Sequence, residues 1–569
     1  MGTEARWGVG GWCVGVRGAT VGPSPLPSPH VYMGRGDSLW ERFMRYRKKL
    51  ALSLMGLLLA SGCEVGPDYK APEVTVRPAF AEAASTQPSA GDLAALKWWE
   101  AFGDAELNSL ISRAMESNLD MQEAESRLRQ ARAQRGVVGA DLWPTANVSA
   151  GYQNGRGSKN VVIPQGAFGF ASPTTARPIA TPALVRAAGT PATVSAPSLP
   201  DSAAGLNPLG QGGLPGVETQ LYQGGFDASW ELDIFGGNRR AVEAADAVTG
   251  ATIEDRRDIL LSLEAEVARN YVELRLAQRQ LQIAADNLHD QQETLKLTQS
   301  RYRAGFVTDL DVARQAAQVA ATAATLPAFE AEVRHSIHQM GILLGEDPDA
   351  LTDELEAGAP IPPAPPAVPV GLPVELVRRR PDIRRAEREL AAASARIGVA
   401  TADLYPKFSL TGSFGVDSSN LNNLVEWNSR YFAINPGVSW PIFDAGRIRS
   451  NIAVQKELAR QAALDYQQTV LMALGEVEDA LANYRLEQIR RRALADSVEA
   501  SQQAVDLARQ QYQRGVIDFL AVLDAQRDLF EAQTVLAESD GAVSTDLVAI
   551  YKALGGGWEM GGNGGGNAE

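Results

Sequence analysis

The 569-residue sequence holds two cysteines, Cys13 and Cys63. Only Cys63 falls in the expected mature chain, which excludes an intrachain disulfide or a cysteine metal cluster there. Histidines number four. His335 and His338 stand three apart without a third ligand pattern, so they read as surface or packing residues. A phosphate-binding glycine loop and a Cys/His pair are also missing, so the chain reads as no enzyme, with no cofactor and no metal. Positive charge is scarce: 53 Lys and Arg stand against 68 Asp and Glu, a formal net charge of −15. The first 62 residues are basic, and without them the charge falls to −20. A nucleic-acid partner, which needs clustered Lys and Arg, is thereby excluded. No apolar run reaches the roughly 18 residues of a membrane-spanning helix. That leaves barrel strands, whose signal is much weaker, as the way such a chain could cross a membrane. With 45% apolar and 21% charged residues, wholesale disorder is excluded.

What is present begins with an address. Met44 leads a basic stretch, Arg45 to Lys49, then the apolar run Leu50 to Ala60, then Ser61-Gly62-Cys63. Basic head, short apolar core and small residues make residues 44–62 a secretory signal. A cysteine directly after them resembles a lipobox, which marks Cys63 for acylation and as the new N-terminus. Ala60 stands where a lipobox usually carries Leu, and Glu64 is not the Asp of inner-membrane retention. Residues 1–43 show no periodicity and read as a dispensable extension, with translation starting at Met44 or Met33.

The rest is one unit written twice. Asp120, Ala124, Glu125, Leu128, Ala140, Asp141, Leu142 and Pro144 recur as Asp382, Ala386, Glu387, Leu390, Ala402, Asp403, Leu404 and Pro406, always 262 residues apart. Trp230, Gly236, Arg239, Tyr302, Gly305, Leu310 and Val312 recur as Trp440, Gly446, Arg449, Tyr512, Gly515, Leu520 and Val522, always 210 apart. The shortfall places one large insertion in the first copy, at about 155–219. It is rich in Pro, Ala, Gly, Ser and Thr, as a solvated loop would be, and is expected on the outer surface. The copies span 104–345 and 374–554.

Each copy holds two stretches that alternate with period two, at about 145–153 and 222–232, then 407–415 and 431–441. At about ten residues each, they have the length of tilted transmembrane strands. Alternation alone fits a soluble half-buried sheet equally well. Four strands cannot close a barrel, and lipid tolerates no open sheet edge. If these strands cross a membrane, the chain must oligomerise: two copies give eight strands and three give twelve. After the strands come long helical hairpins, 238–345 and 446–554. Ile253, Leu260, Val267, Leu274, Leu281, Leu288, Leu295 and Tyr302 form a seven-residue seam. A second seam, Ala463 to Tyr512, is interrupted at Arg491. Tight turns at Gly305 and Gly515 reverse the chain. Residues 63–103 suit a wrapping arm, 346–373 form a Pro-rich linker, and 555–569 a Gly-rich disordered tail.

Several motifs carry a resemblance: Cys63-Glu64-Val65-Gly66-Pro67-Asp68-Tyr69, Trp98-Trp99 with Phe102, Arg378 to Arg384, Tyr405-Pro406 through Gly415, and Leu520 through Arg527. Together they resemble the TolC-like outer membrane factor family, in its lipoprotein branch. The resemblance implies a mainly α fold with a β-barrel part, as a homotrimer with one twelve-stranded barrel and a periplasmic helical tunnel. It implies location in the cell outer membrane, anchored by acyl chains on Cys63. Partners would be outer-membrane lipid, a periplasmic adaptor and, through it, an inner-membrane transporter. The function implied is a passive exit duct for small molecules, with protein secretion as the alternative. A purely structural coiled-coil lipoprotein is a further alternative that the alternating segments oppose. Carried over by motif, Asp524 matches a carboxylate ring at the periplasmic gate, and Asp311 and Tyr512 match a hydrogen-bonded pair that holds it. Arg314 stands at the first-copy equivalent of Asp524, and Ile517 stands where some relatives carry a basic residue. The turns Gly305-Phe306 and Gly515-Val516 would meet the adaptor.

Overall fold

The computed structural model describes residues 64–72, 77, 80–82, 97–156, 218–365 and 379–556. Cys63, the signal segment, nearly all of the 155–219 insertion and the tail beyond Gly556 lie outside the described residues.

A 3-10 turn, Trp98–Phe102, opens the first copy. It leads into α1 (Ala105–Ser117), α2 (Leu119–Ala140) and strands β1 (Thr145–Arg156) and β2 (Glu218–Leu232). The hairpin follows: α3 (Gly237–Arg303), then α4 (Asp309–Ala323) and α5 (Leu326–Leu343). Pro327 explains why the return is broken in two, since it lacks an N–H and its ring opposes the carbonyl of Ala323. After a one-turn helix, α6 (Thr352–Leu355), the second copy begins with α7 (Pro381–Ala402). Strands β3 (Lys407–Ser418) and β4 (Arg430–Ser439) precede α8 (Arg447–Gln513) and α9 (Phe519–Leu554). Helices α3 and α8 are each 67 residues, about 100 Å at the helical rise.

The strands form one antiparallel sheet in the order β1-β2-β3-β4. The middle pairing, β2 with β3, joins the two copies. The duplication also shows at the sheet's foot. The Trp230 indole donates to the Leu142 carbonyl and the Trp440 indole to the Leu404 carbonyl, both at 3.0 Å. In each copy this bond ties the second strand to the end of the helix that leads into the first strand.

The apolar core lies at the waist of the long helices. Trp99, Leu107, Leu110, Ile111, Tyr271, Leu274, Met340, Leu355 and Leu547 are fully buried there. Trp99 meets Trp98 edge-on, and Trp98 stacks on Tyr551 with ring centres 5.5 Å apart. Inside this core sits Glu264, with neither carboxylate oxygen hydrogen-bonded. Burial pushes its pKa up to about 8; the nearby Trp98 indole N–H pulls weakly the other way without completing a hydrogen bond.

The Arg-rich motif is a clasp at the start of α7. Arg380 reaches Asp382 at 2.6 Å, Glu476 of α8 at 2.7 Å and the Ala553 carbonyl at the end of α9 at 3.0 Å. Arg384 and Arg385 hold Glu254 and Asp255 of α3 at 2.9 and 2.7 Å. The linker straps the waist: Arg275 donates to the Ala357 carbonyl, Ser544 to Pro362 and Tyr484 to Pro365.

Of the α3 seam, Leu260, Val267 and Leu274 are fully buried, while Leu281, Leu288 and Leu295 are half-buried. Toward the tip the buried row is instead Ala277, Ala284, Gln291 and Thr298, also seven apart. A straight helix drifts about 20° per heptad against a strict seven-residue repeat, so the face turned toward α4 changes along its length.

Candidate channel wall and gate

Cross-strand register assigns the two faces of the sheet residue by residue. Val148, Phe226, Phe414 and Phe432 form one row across all four strands. Ala146, Ala228, Gly412 and Ile434 form another on the same face, and Trp230, Leu410 and Pro436 a third across β2–β4. The opposite face carries Asn147, Asp227, Ser413 and Ala433, then Thr145, Ser229, Thr411 and Asn435. Directly opposed residues share a face because side chains alternate with period two. Among the described residues nothing covers the apolar face: Val148, Phe226, Phe414, Phe432 and Ile434 are all more than half exposed. A soluble half-buried sheet would cover that face. Among the described residues no helix is long and apolar enough to cross a membrane. Among the described residues the outer strands of the sheet, β1 and β4, each have one unpaired edge. In hydrocarbon, which satisfies no backbone group, those edges would have to pair with further copies.

At the foot of the sheet, residues 64–69 are fixed to the α3/α7 junction. The Val65 amide donates to the Phe235 carbonyl at 3.2 Å. Buried Arg240 donates to the Val65 carbonyl and pairs with Asp68 at 2.6 Å. Gly66, at φ +105°, lies so close to α7 that a Cβ there would sit 2.5 Å from the Gly398 Cα. The residue next to Cys63 is therefore held where the strands end.

At the far ends of the long helices, both hairpins turn by the same Schellman closure. Phe306 N–H donates to the Arg301 carbonyl and Gly305 N–H to Tyr302, both at 2.9 Å; Val516 and Gly515 donate to Gln511 and Tyr512 at 3.0 Å. Gly305 and Gly515 take φ +79° and +75°, which a side chain would strain. Phe306 and Val516 at the tips are about 70% exposed, with Leu310 and Leu520 exposed beside them.

The residues matched to the gate are placed as follows. Asp311 is the third residue of α4, and its carboxylate accepts from the Thr308 amide at 3.0 Å and the Thr308 hydroxyl at 2.8 Å, a capping box. Tyr512 is buried in a small cluster with Phe519 and Val522, and its hydroxyl has no hydrogen-bond partner. The structure thus does not join Asp311 to Tyr512. Asp524 lies in the second turn of α9 with a half-exposed side chain, 4.0 Å from Arg527. Arg314 is exposed on α4, and His335 and His338 are exposed on α5.

Sequence reasoning passed over Arg301. Its guanidinium donates to the Tyr512 carbonyl at 2.8 Å and lies 4.3 Å over the Tyr512 ring. The repeat comparison held a signal for it: its second-copy counterpart is the uncharged Gln511.

Comparison with known proteins agrees with this architecture. The sequence model of the outer membrane efflux protein family matches residues 110–346 and 372–556. Nodulation protein T of Rhizobium leguminosarum bv. trifolii is 30% identical over 501 residues, spanning 88% of this chain and 96% of the relative. The pyoverdine export outer membrane protein OpmQ of Pseudomonas aeruginosa is 31% identical over 475 residues, spanning 81% and 88%. The solved structure of the outer-membrane channel OprN is 35% identical, with a TM-score of 0.74 over 87% of this chain and all of that one. The chain belongs to the outer membrane efflux protein family and is an outer-membrane channel that works as a trimer, with a periplasmic adaptor and an inner-membrane pump, in a tripartite efflux system.

Proposed function

We propose that this channel is a passive, lipid-anchored exit duct for small molecules, closed at its periplasmic end by a gate at the second hairpin. The observation that carries the gate is Asp524: a half-exposed carboxylate near the start of α9 that stands 4.0 Å from Arg527, a long ion pair. Three such carboxylates around one axis would attract cations and repel one another, making a constriction that responds to ions. Cys63 supplies the lipid anchor. Its neighbours Glu64 and Val65 are held at the foot of the sheet, so acyl chains on residue 63 would enter the membrane beside the barrel. The tips Gly305-Phe306 and Gly515-Val516 are the docking points for the adaptor, offering exposed apolar side chains on hydrogen-bonded turns. The duct performs no chemistry, and the energy comes from the pump.

The test is ion block. Purified lipidated trimers in planar bilayers should lose current when a multivalent cation is added on the periplasmic side, and Asp524→Ala trimers should keep it. Equal block of wild type and variant would remove the gate from Asp524.

A further inference from the structure

We infer that Arg301 is the pin that holds the second hairpin to the first, gripping the C-terminal end of α8 from the last turn of α3. The inference deepens the gate reading above and rests on it.

The grip has two parts on one residue. The Arg301 Nη1 donates to the Tyr512 carbonyl at 2.8 Å, and the guanidinium carbon stands over the Tyr512 ring, 4.3 Å from its centre. That carbonyl already accepts from the Gly515 amide at 3.0 Å and belongs to the last turn of α8. The end of a helix carries partial negative charge, which a cation neutralises. Most such caps come from the helix itself or the loop after it. This one comes from a different hairpin, so it is a tether as well as a cap.

Internal duplication makes the point sharper. If the contact were a shared feature of the repeated unit, both copies would carry the cation. The counterparts of Arg301 and Tyr512 are Gln511 and Tyr302. Gln511 carries no charge, so the second copy has no cation with which to return the grip.

Its surroundings suit a joint that releases. At the waist, α3 meets α9 through apolar residues such as Leu274 and Leu547. Toward the tip the hairpins share three polar ties, Asp290 to Arg509 at 2.7 Å, Thr294 to Gln526 at 3.2 Å, then Arg301 to Tyr512, beside one small apolar contact where Val307 packs on the Tyr512 cluster. Several buried polar atoms in this half have no hydrogen-bond partner, among them Asn287 Nδ2, Gln291 Oε1 and the Tyr512 hydroxyl. Separating the hairpins here exposes groups that water satisfies, so release costs far less than at the waist. Of the three ties, only Arg301 joins a charge, a helix end and an aromatic face.

The experiment is single-channel recording on purified lipidated trimers carrying Arg301→Met, Tyr512→Phe or Asp524→Ala. Arg301→Met should raise the open-state population about tenfold, as expected for a partly exposed charged hydrogen bond to a helix end. Tyr512→Phe should behave as wild type, because the ring and the carbonyl do the holding and the hydroxyl holds nothing. Arg301→Met matching wild type would overturn the pin. A Tyr512→Phe variant that opens while Arg301→Met does not would overturn it in favour of the hydroxyl. If Asp524→Ala alone is silent, the constriction lies elsewhere and the pin stands; if Asp524→Ala responds and Arg301→Met does not, the gate stands without the pin. Should Arg301→Met fail to assemble, Arg301→Lys keeps the charge and loses the planar grip. Amide hydrogen exchange at residues 511–516 should then run several-fold faster than in wild type, and unchanged exchange would overturn the proposal.

Discussion

Residues 413 and 414 are neighbours in β3 whose side chains point in opposite directions, and this yields a matched pair of substitutions. Phe414 sits in the apolar row with Val148, Phe226 and Phe432. Ser413 sits in the polar row with Asn147 and Asp227. An arginine on the lipid face near the bilayer middle costs roughly 2–4 kcal/mol. A trimer carries the substitution three times, so Phe414→Arg should cost on the order of 6–12 kcal/mol per assembly, comparable with the whole stability of a typical domain. Ser413→Arg puts the same charge one residue earlier, facing water and directly opposite Asp227, where opposite charges stabilise by about 0.2–1 kcal/mol. The assay is the amount of heat-resistant trimer in purified outer membranes, read on semi-native gels with equal expression. Phe414→Arg should abolish the trimer band and Ser413→Arg should retain it. Equal loss in both, or loss only in Ser413→Arg, would refute the assignment of faces and with it the transmembrane sheet.

Three further outcomes follow from the waist and the arm. Trp99→Ala empties the centre of the core and should destabilise by about 3–5 kcal/mol, seen as a fall in thermal midpoint without loss of helix signal in the remaining folded protein. Gly66→Ala should dislodge the arm, because its Cβ would collide with the Gly398 backbone; limited proteolysis near residues 64–72 should speed up while the trimer persists. Glu264 has a folded pKa raised to about 8, so its contribution is fully present below pH 4.5, declines as pH rises, and is lost above about 8. At about 1.4 kcal/mol per pH unit across that window, the loss reaches a few kcal/mol. Glu264→Gln should flatten this decline in a series of melts from pH 5 to 9, and an unchanged slope would remove Glu264 as its cause.

Much of this architecture is legible in the sequence because it rests on local periodicity. Alternation gives the strands their two faces, and the row Val148 to Phe432 needs only the register to be complete. Gly305 and Gly515 mark turns that require a left-handed residue. The buried row of α3 beyond Leu274 is less legible, since heptad counting follows Leu281 and Leu288 while helical drift turns Ala284 and Gln291 inward. Asp311 shows a different limit: a capping box with Thr308 and a long-range bond to Tyr512 draw on the same carboxylate, and sequence does not choose between them. Arg301 and the Arg380 clasp were hidden because each acts on the carbonyl of a helix end more than 150 residues away. A carbonyl carries no sequence signature.

The most direct test of the account is current through the assembled protein. Purified lipidated protein, verified as a trimer by mass, would be reconstituted into planar bilayers and recorded under conditions that release the gate. Discrete conductance steps of one size are predicted, absent from protein carrying Phe414→Arg. Folded, membrane-inserted trimers that conduct no ions would contradict the claim that this chain builds an exit duct.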